Sequence, residues 1–184
     1  MFGFRRHKAP EDLEVAFRSL YDEAVAERPA SLALSGDKLV IPMLVVGGGA
    51  GSFGSTLQPR LEIPDPLHGA SSLTIPMGKL RAVDLEVSLT LLGPNPLEGP
   101  TGLGALAHAL AFGRAVVVVQ GDEGLHPGAA DLVDRYALAG VYVVGSPKFI
   151  RRFPGEAERL VADEHPAREV FQRVVRDVLK AHGS

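Results

Sequence analysis

The 184-residue chain has no cysteine and no tryptophan, one asparagine (Asn95) and three glutamines (Gln58, Gln120 and Gln172). Without cysteine there is no disulfide framework, no thiolate zinc site and no cysteine nucleophile. Excess positive charge is also missing: 19 Lys and Arg stand against 22 Asp and Glu, a formal net charge of −3. Nucleic-acid binding calls for cations clustered on one face, and the short runs Arg5-Arg6-His7-Lys8 and Arg151-Arg152 do not supply them. No apolar run approaches the roughly 20 residues that span a bilayer, and Met1 to Lys8 lacks the apolar stretch of a secretion signal. The expectation is a soluble, cytoplasmic protein whose partners are neither nucleic acid nor membrane. Scarce amides, no cysteine, 14 prolines and an excess of arginine over lysine give a thermophile-like composition.

Several signatures of known chemistry are absent as well. There is no GxSxG serine elbow and no GxxxxGK[ST] phosphate loop. No motif specifies a cofactor.

What the chain does have is apolar content, 46% of residues, enough at this length for one well-buried core and short for two. Residues 1–184 therefore read as a single domain. Pro10-Glu11-Asp12 suits the first turn of a helix, and Leu13, Phe17, Leu20 and Ala24 continue it at helical spacing as far as Pro29. Residues 31–34 and 39–46 flank the turn-forming Ser35-Gly36-Asp37-Lys38 and read as a hairpin. Leu57 to Ile63 reads as a weaker strand interrupted by proline. Val83, Leu85, Val87, Leu89 and Leu91 alternate with polar residues, a strand with one wet face and antiparallel pairing.

Beyond the rigid Gly93-Pro94-Asn95-Pro96 the texture changes. A helix with Leu103, Leu106, Ala107 and Leu110 ends at Gly113, read as a left-handed cap, and the run Ala115 to Val119 is a buried strand. A helix from about Ala129 to Ala139, stopped by Gly140, and the strand Val141 to Val144 complete a βαβ unit. Pro166 opens a last helix with a Val-rich stripe through Val170, Phe171, Val174, Val175 and Val178. The fold class is α+β, or mixed α/β: an antiparallel, strand-rich first half, then a βαβ unit, with helices at both termini on one shared core.

Two loops carry the candidate chemistry. In Gly47-Gly48-Gly49-Ala50-Gly51-Ser52-Phe53-Gly54, the residues Gly49, Gly51 and Gly54 match GxGxxG, and with Ser52 they form a candidate ligand-binding loop. Such glycines let backbone N–H groups approach a phosphate at a helix start. Pro59, Pro64 and Pro66 argue that no helix follows, which leaves an anion- or partner-contacting loop or a plain hairpin connection beside the dinucleotide reading.

The second loop, Gln120 to Pro127, offers Asp122, Glu123 and His126 as catalytic candidates: two carboxylates to hold a divalent metal and an imidazole as ligand or acid/base. Its bland counterpart is a solvated turn shaped by Gly121, Gly124 and Pro127. His68, His108 and His165 stand alone in sequence. His108 reads as a structural histidine, and Asp131 and Asp134 as solvated helix residues.

The functional expectation is a non-enzymatic ligand-binding or assembly protein that takes a small molecule and self-associates as a dimer. The alternative is a divalent-metal-dependent enzyme acting on a phosphorylated or nucleotide-like small molecule.

Overall fold

Alternation decides where the strand Lys38–Val46 places its side chains: Ile41, Met43 and Val45 point into one apolar layer, Leu44 and Val46 into the other. The computed structural model describes residues 2–29, 33–35, 37–58, 70–98 and 100–182. In chain order its elements are α1 (Phe2–Glu27), β1 (Ala33–Ser35), β2 (Lys38–Val46), α2 (Ala50–Leu57), β3 (Ala70–Leu80), β4 (Val83–Leu92), α3 (Pro100–Phe112), β5 (Ala115–Val119), α4 (Pro127–Tyr136), β6 (Gly140–Gly145), α5 (Pro147–Arg152), β7 (Glu158–Val161) and α6 (Ala167–Ala181).

All seven strands join one mixed sheet in the order β3-β4-β2-β5-β6-β7, with β1 also on β2. β2 pairs in parallel with β4 from Lys38↔Asp84 to Val46↔Leu92. Its other edge is shared: β1 takes Lys38 to Val40 as the antiparallel hairpin, and β5 takes Leu44 to Val46 in parallel. The βαβ unit is present as β5-α4-β6, paired from Ala115↔Gly140 to Val119↔Val144, and β7 adds in parallel to β6. The fold is thus mixed α/β. One detail goes beyond the sequence pattern: β4 is antiparallel to β3 alone and parallel to β2.

Helices cover both faces. α2 and α6 pack on Ile41, Val45, Val87, Leu89 and Val117, whereas α1, α3 and α4 pack on Leu44, Val46, Val116 and Val118. β5 from Ala115 to Val118 is sealed on both sides, which is why it reads as an unbroken apolar run. The chain leaves β2 toward β4 by way of α2 on one face and returns from β4 to β5 by way of α3 on the other. Winding therefore reverses between β2 and β5, and in open α/β sheets a crevice forms outside the carboxyl ends of the strands at such a point.

Several sequence expectations are corrected. α1 begins at Phe2, so Pro10 lies within it, and its buried stripe runs through Phe17, Tyr21 and Ala24 while Leu20 is 40% exposed. Tyr21 replaces Leu20 because its hydroxyl donates to the Tyr136 carbonyl at 2.7 Å while its ring packs beside Phe17. Leu57 ends a helix where a strand was expected; residues 59–63 of that expected strand lie outside the described residues. Gly113 is not left-handed. A Cβ there would sit 2.5 Å from the Ala109 carbonyl oxygen, so close approach explains the glycine. Gly140 opens β6, and α4 already ends at Tyr136.

β3 was not anticipated. It keeps register with β4 from Ala70↔Leu92 to Pro76↔Glu86, slips around Gly78 (φ 87°) and resumes at Lys79↔Asp84. Its hairpin turn is Arg81-Ala82, both at positive φ (50° and 70°), without the glycine that usually marks such turns.

Two polar ties hold the far end of the sheet. The Arg159 guanidinium donates to the carbonyls of Ile150, Phe153, Gly155 and Ala157, fixing the α5–β7 connection. Tyr142 on β6, nearly buried, donates its hydroxyl to Asp177 Oδ2 on α6 at 2.7 Å. Burial first, then this bond, raises the Tyr142 pKa above the ordinary 10. The folded protein thus keeps a proton that the unfolded chain loses above about 10, and in that window unfolding releases it. Stability from this group is complete below pH 10 and declines as pH rises further. Urea melts between pH 8 and about 11.5 are expected to show that decline, reduced in Tyr142→Phe; an unchanged slope in the variant overturns the assignment. Among the described residues, no helix is long and apolar enough to cross a membrane.

Candidate functional site

The two glycine loops meet. Gly47 to Gly49 follow β2 and residues 120–126 follow β5, and adjacent parallel strands deliver both to one edge of the sheet. Gly48 N–H donates to the Gly124 carbonyl and Gly49 N–H to the Val119 carbonyl, each at 2.9 Å. Contact is so close that side chains do not fit: a Cβ on Gly48 would lie 2.0 Å from the Glu123 oxygen, and one on Gly121 would lie 2.6 Å from the Gly48 carbonyl. Gly47 adds a φ of 126°, a backbone that favours glycine. These glycines are explained first by loop-on-loop packing.

A helix does follow the glycines, contrary to expectation. Ala50, Phe53, Gly54 and Leu57 are the buried face of α2, and burying Phe53 and Leu57 outweighs the roughly 1 kcal/mol that each helical glycine costs. Gly49 is the N-cap and has no side chain to cap with. In the first turn Ala50 N–H reaches the Gly47 carbonyl, while Gly51 and Ser52 N–H meet no acceptor among the described residues. The GxGxxG stretch thus has the strand-glycine-helix context in which such amides face a ligand.

Beside this junction lies a cleft of about 370 Å³. Gly48, Gly49 and Ser52 line it from one loop, Gln120 and Asp122 from the other, and His165 from the β7–α6 connection. Of the candidate ligand-binding residues, Gly49 and Ser52 line the cleft; Gly51 is half-buried on the first turn, and Gly54 is buried within α2. Gln120 and Thr56 were missed by sequence reasoning. Gln120 Oε1 accepts from Ser146 N–H at 2.7 Å, which holds its side chain across the ends of β5 and β6, and the Thr56 hydroxyl donates to the Ser52 carbonyl. Ser146 itself caps α5 through its hydroxyl.

The three catalytic candidates are divided between two clefts. Asp122 lines the 370 Å³ cleft, whereas Glu123 and His126 line another cleft across the same loop. His126 is already engaged in holding a helix end, since its Nδ1 accepts from Gly128 N–H at 3.0 Å as the N-cap of α4. Its own backbone N–H donates to the Pro94 carbonyl. Asp122 and Glu123 are exposed, and among the described residues no three His, Asp or Glu side chains are grouped to hold a metal ion. Of the isolated histidines, His165 lines the cleft and lies 3.8 Å from Glu169. His108 is exposed and stacks on Phe112, and His68 lies outside the described residues. Asp131 pairs with Arg135.

No protein-family model matches this chain, and no curated protein matches it in sequence.

Proposed function

We propose that the protein is a non-catalytic binding protein for a small phosphorylated molecule that also carries hydroxyl groups, seated in the 370 Å³ cleft. The observation that carries this reading is the convergence of the two glycine loops at the carboxyl ends of β2 and β5, where the winding of the sheet reverses. Chemistry supports the ligand class: the uncapped first turn of α2 offers N–H groups to an anion, and Asp122 and Gln120 suit sugar hydroxyls. The divalent-metal alternative draws no support from the separation of Asp122 from Glu123 and His126.

Calorimetry with ribose 5-phosphate tests the reading. Binding is expected, with Ser52→Glu weakening it by about tenfold or more through like-charge repulsion while leaving the melting temperature near that of the wild type, because Ser52 is exposed. Absence of binding at millimolar ligand overturns the proposal, as does turnover in a hydrolase and transferase screen that disappears in Asp122→Ala.

A further inference from the structure

The wall of the phosphate cleft is one backbone thick. Gly48 lines the first cleft and bonds to Gly124, which lines a second cleft of about 680 Å³ on the far side. Between them the chain at Gly121, Asp122 and Glu123 forms an exposed crest.

The second cleft differs in character. Pro94, Leu125, Ala130, Phe149 and Phe153 make it mainly apolar. Phe149 is set against the loop closely enough that a Cβ on Gly124 would come within 2.8 Å of its ring. Among its polar groups the Asn95 side chain stands out: its Oδ1 is buried and accepts no hydrogen bond from the described residues. A buried carbonyl oxygen without a donor is a cost that a ligand N–H can remove. An apolar cleft with a few fixed polar groups is the usual form of a small-molecule site.

Resting on the phosphate reading above, we infer that the second cleft takes the base of the same ligand, which is therefore a nucleotide with an exocyclic amino group and not a sugar phosphate. The amino group donates to Asn95 Oδ1, and the apolar walls remove the ring from water.

AMP and ribose 5-phosphate carry the same phosphate and ribose and differ in the base, so calorimetry on the full chain separates the two levels. AMP is expected to bind about tenfold or more tightly than ribose 5-phosphate, and Asn95→Leu to erase that advantage while leaving ribose 5-phosphate affinity unchanged. A second readout needs no variant: AMP, unlike ribose 5-phosphate, should shift the backbone amide resonances of Gly124, Leu125 and Arg152 in nitrogen–proton correlation spectra. If ribose 5-phosphate binds but AMP binds no tighter and leaves those amides unmoved, the base site is overturned and the phosphate site stands. If neither ligand binds, both are overturned.

Discussion

Gly48→Ala is expected to cost about 4 kcal/mol or more, the range reached when a side chain is forced into a packed backbone. The methyl group would sit 2.0 Å from the Glu123 carbonyl oxygen and 2.7 Å from its carbon, and neither atom belongs to a flexible side chain. Relief requires the two loops to part, which breaks the Gly48–Gly124 hydrogen bond and displaces the end of β5 from its place beside β2. A total stability of roughly 5–15 kcal/mol leaves little to spare. Gly104→Ala supplies the contrast: within α3 the added Cβ meets nothing within 4 Å, so the variant should gain about 0.5–1 kcal/mol from helix propensity. Thermal melts of the pair decide the matter. At about 2–4 °C per kcal/mol for a chain of this size, the two should move in opposite directions, and a Gly48→Ala melt like that of the wild type contradicts the loop contact.

Phe17→Ala should be nearly as damaging, at about 3–5 kcal/mol. Phe17 is fully buried, stacked on Tyr21 with ring centroids 5.9 Å apart and edge-on to Tyr136 at 5.0 Å. Two further ties of α1 to α4, Arg18 to the Tyr136 hydroxyl and Glu14 to Arg135, are largely solvent-facing and contribute little, whereas the Tyr21 hydroxyl bond to the Tyr136 carbonyl belongs to the same aromatic cluster. Docking of α1 thus rests on its buried face, where Phe17 joins the aromatic cluster to the α3 side chains Leu103, Leu106 and Leu110 in one core layer. Hydrogen exchange in the variant should report early opening of residues 12–27, while Val15→Ala, at a position 72% exposed, should stay within about 0.5 kcal/mol of the wild type. Equal protection of α1 in Phe17→Ala and the wild type would show that other contacts hold the helix.

The parts of the fold legible in the sequence are those where burial imposes a period. β4 alternates because one face meets the core and the other is half-wet, and β5 is uniformly apolar because helices cover both sides. α2 was hidden because Gly51 and Gly54 depress helix propensity, and its stripe of Ala50, Phe53 and Leu57 acquires meaning only once α6 and the sheet receive it. β3 was hidden by Pro76 and by a turn made of arginine and alanine. α5 and β7, of six and four residues, are too short for any period to declare itself. The Val-rich stripe of α6 was legible as a helix face, and it is consumed by the sheet. Both candidate loops were visible as glycine runs. Their contact was not, because parallel pairing of β2 with β5 joins segments far apart in sequence through a crossover that leaves no local mark.

The irregularity of β3 bears on how the protein behaves when crowded. Among the described residues β3 forms one border of the sheet, and an open border is a template on which foreign strands polymerise. Pro76 withholds an N–H, the slip at Gly78 bends the ribbon, and Lys79 adds charge; each spoils the template. At the opposite border β7 presents four residues, Arg159 among them. Neither of these two rims invites edge-to-edge growth, so the same proline and bulge that concealed β3 from pattern reading guard its border against amyloid-like extension.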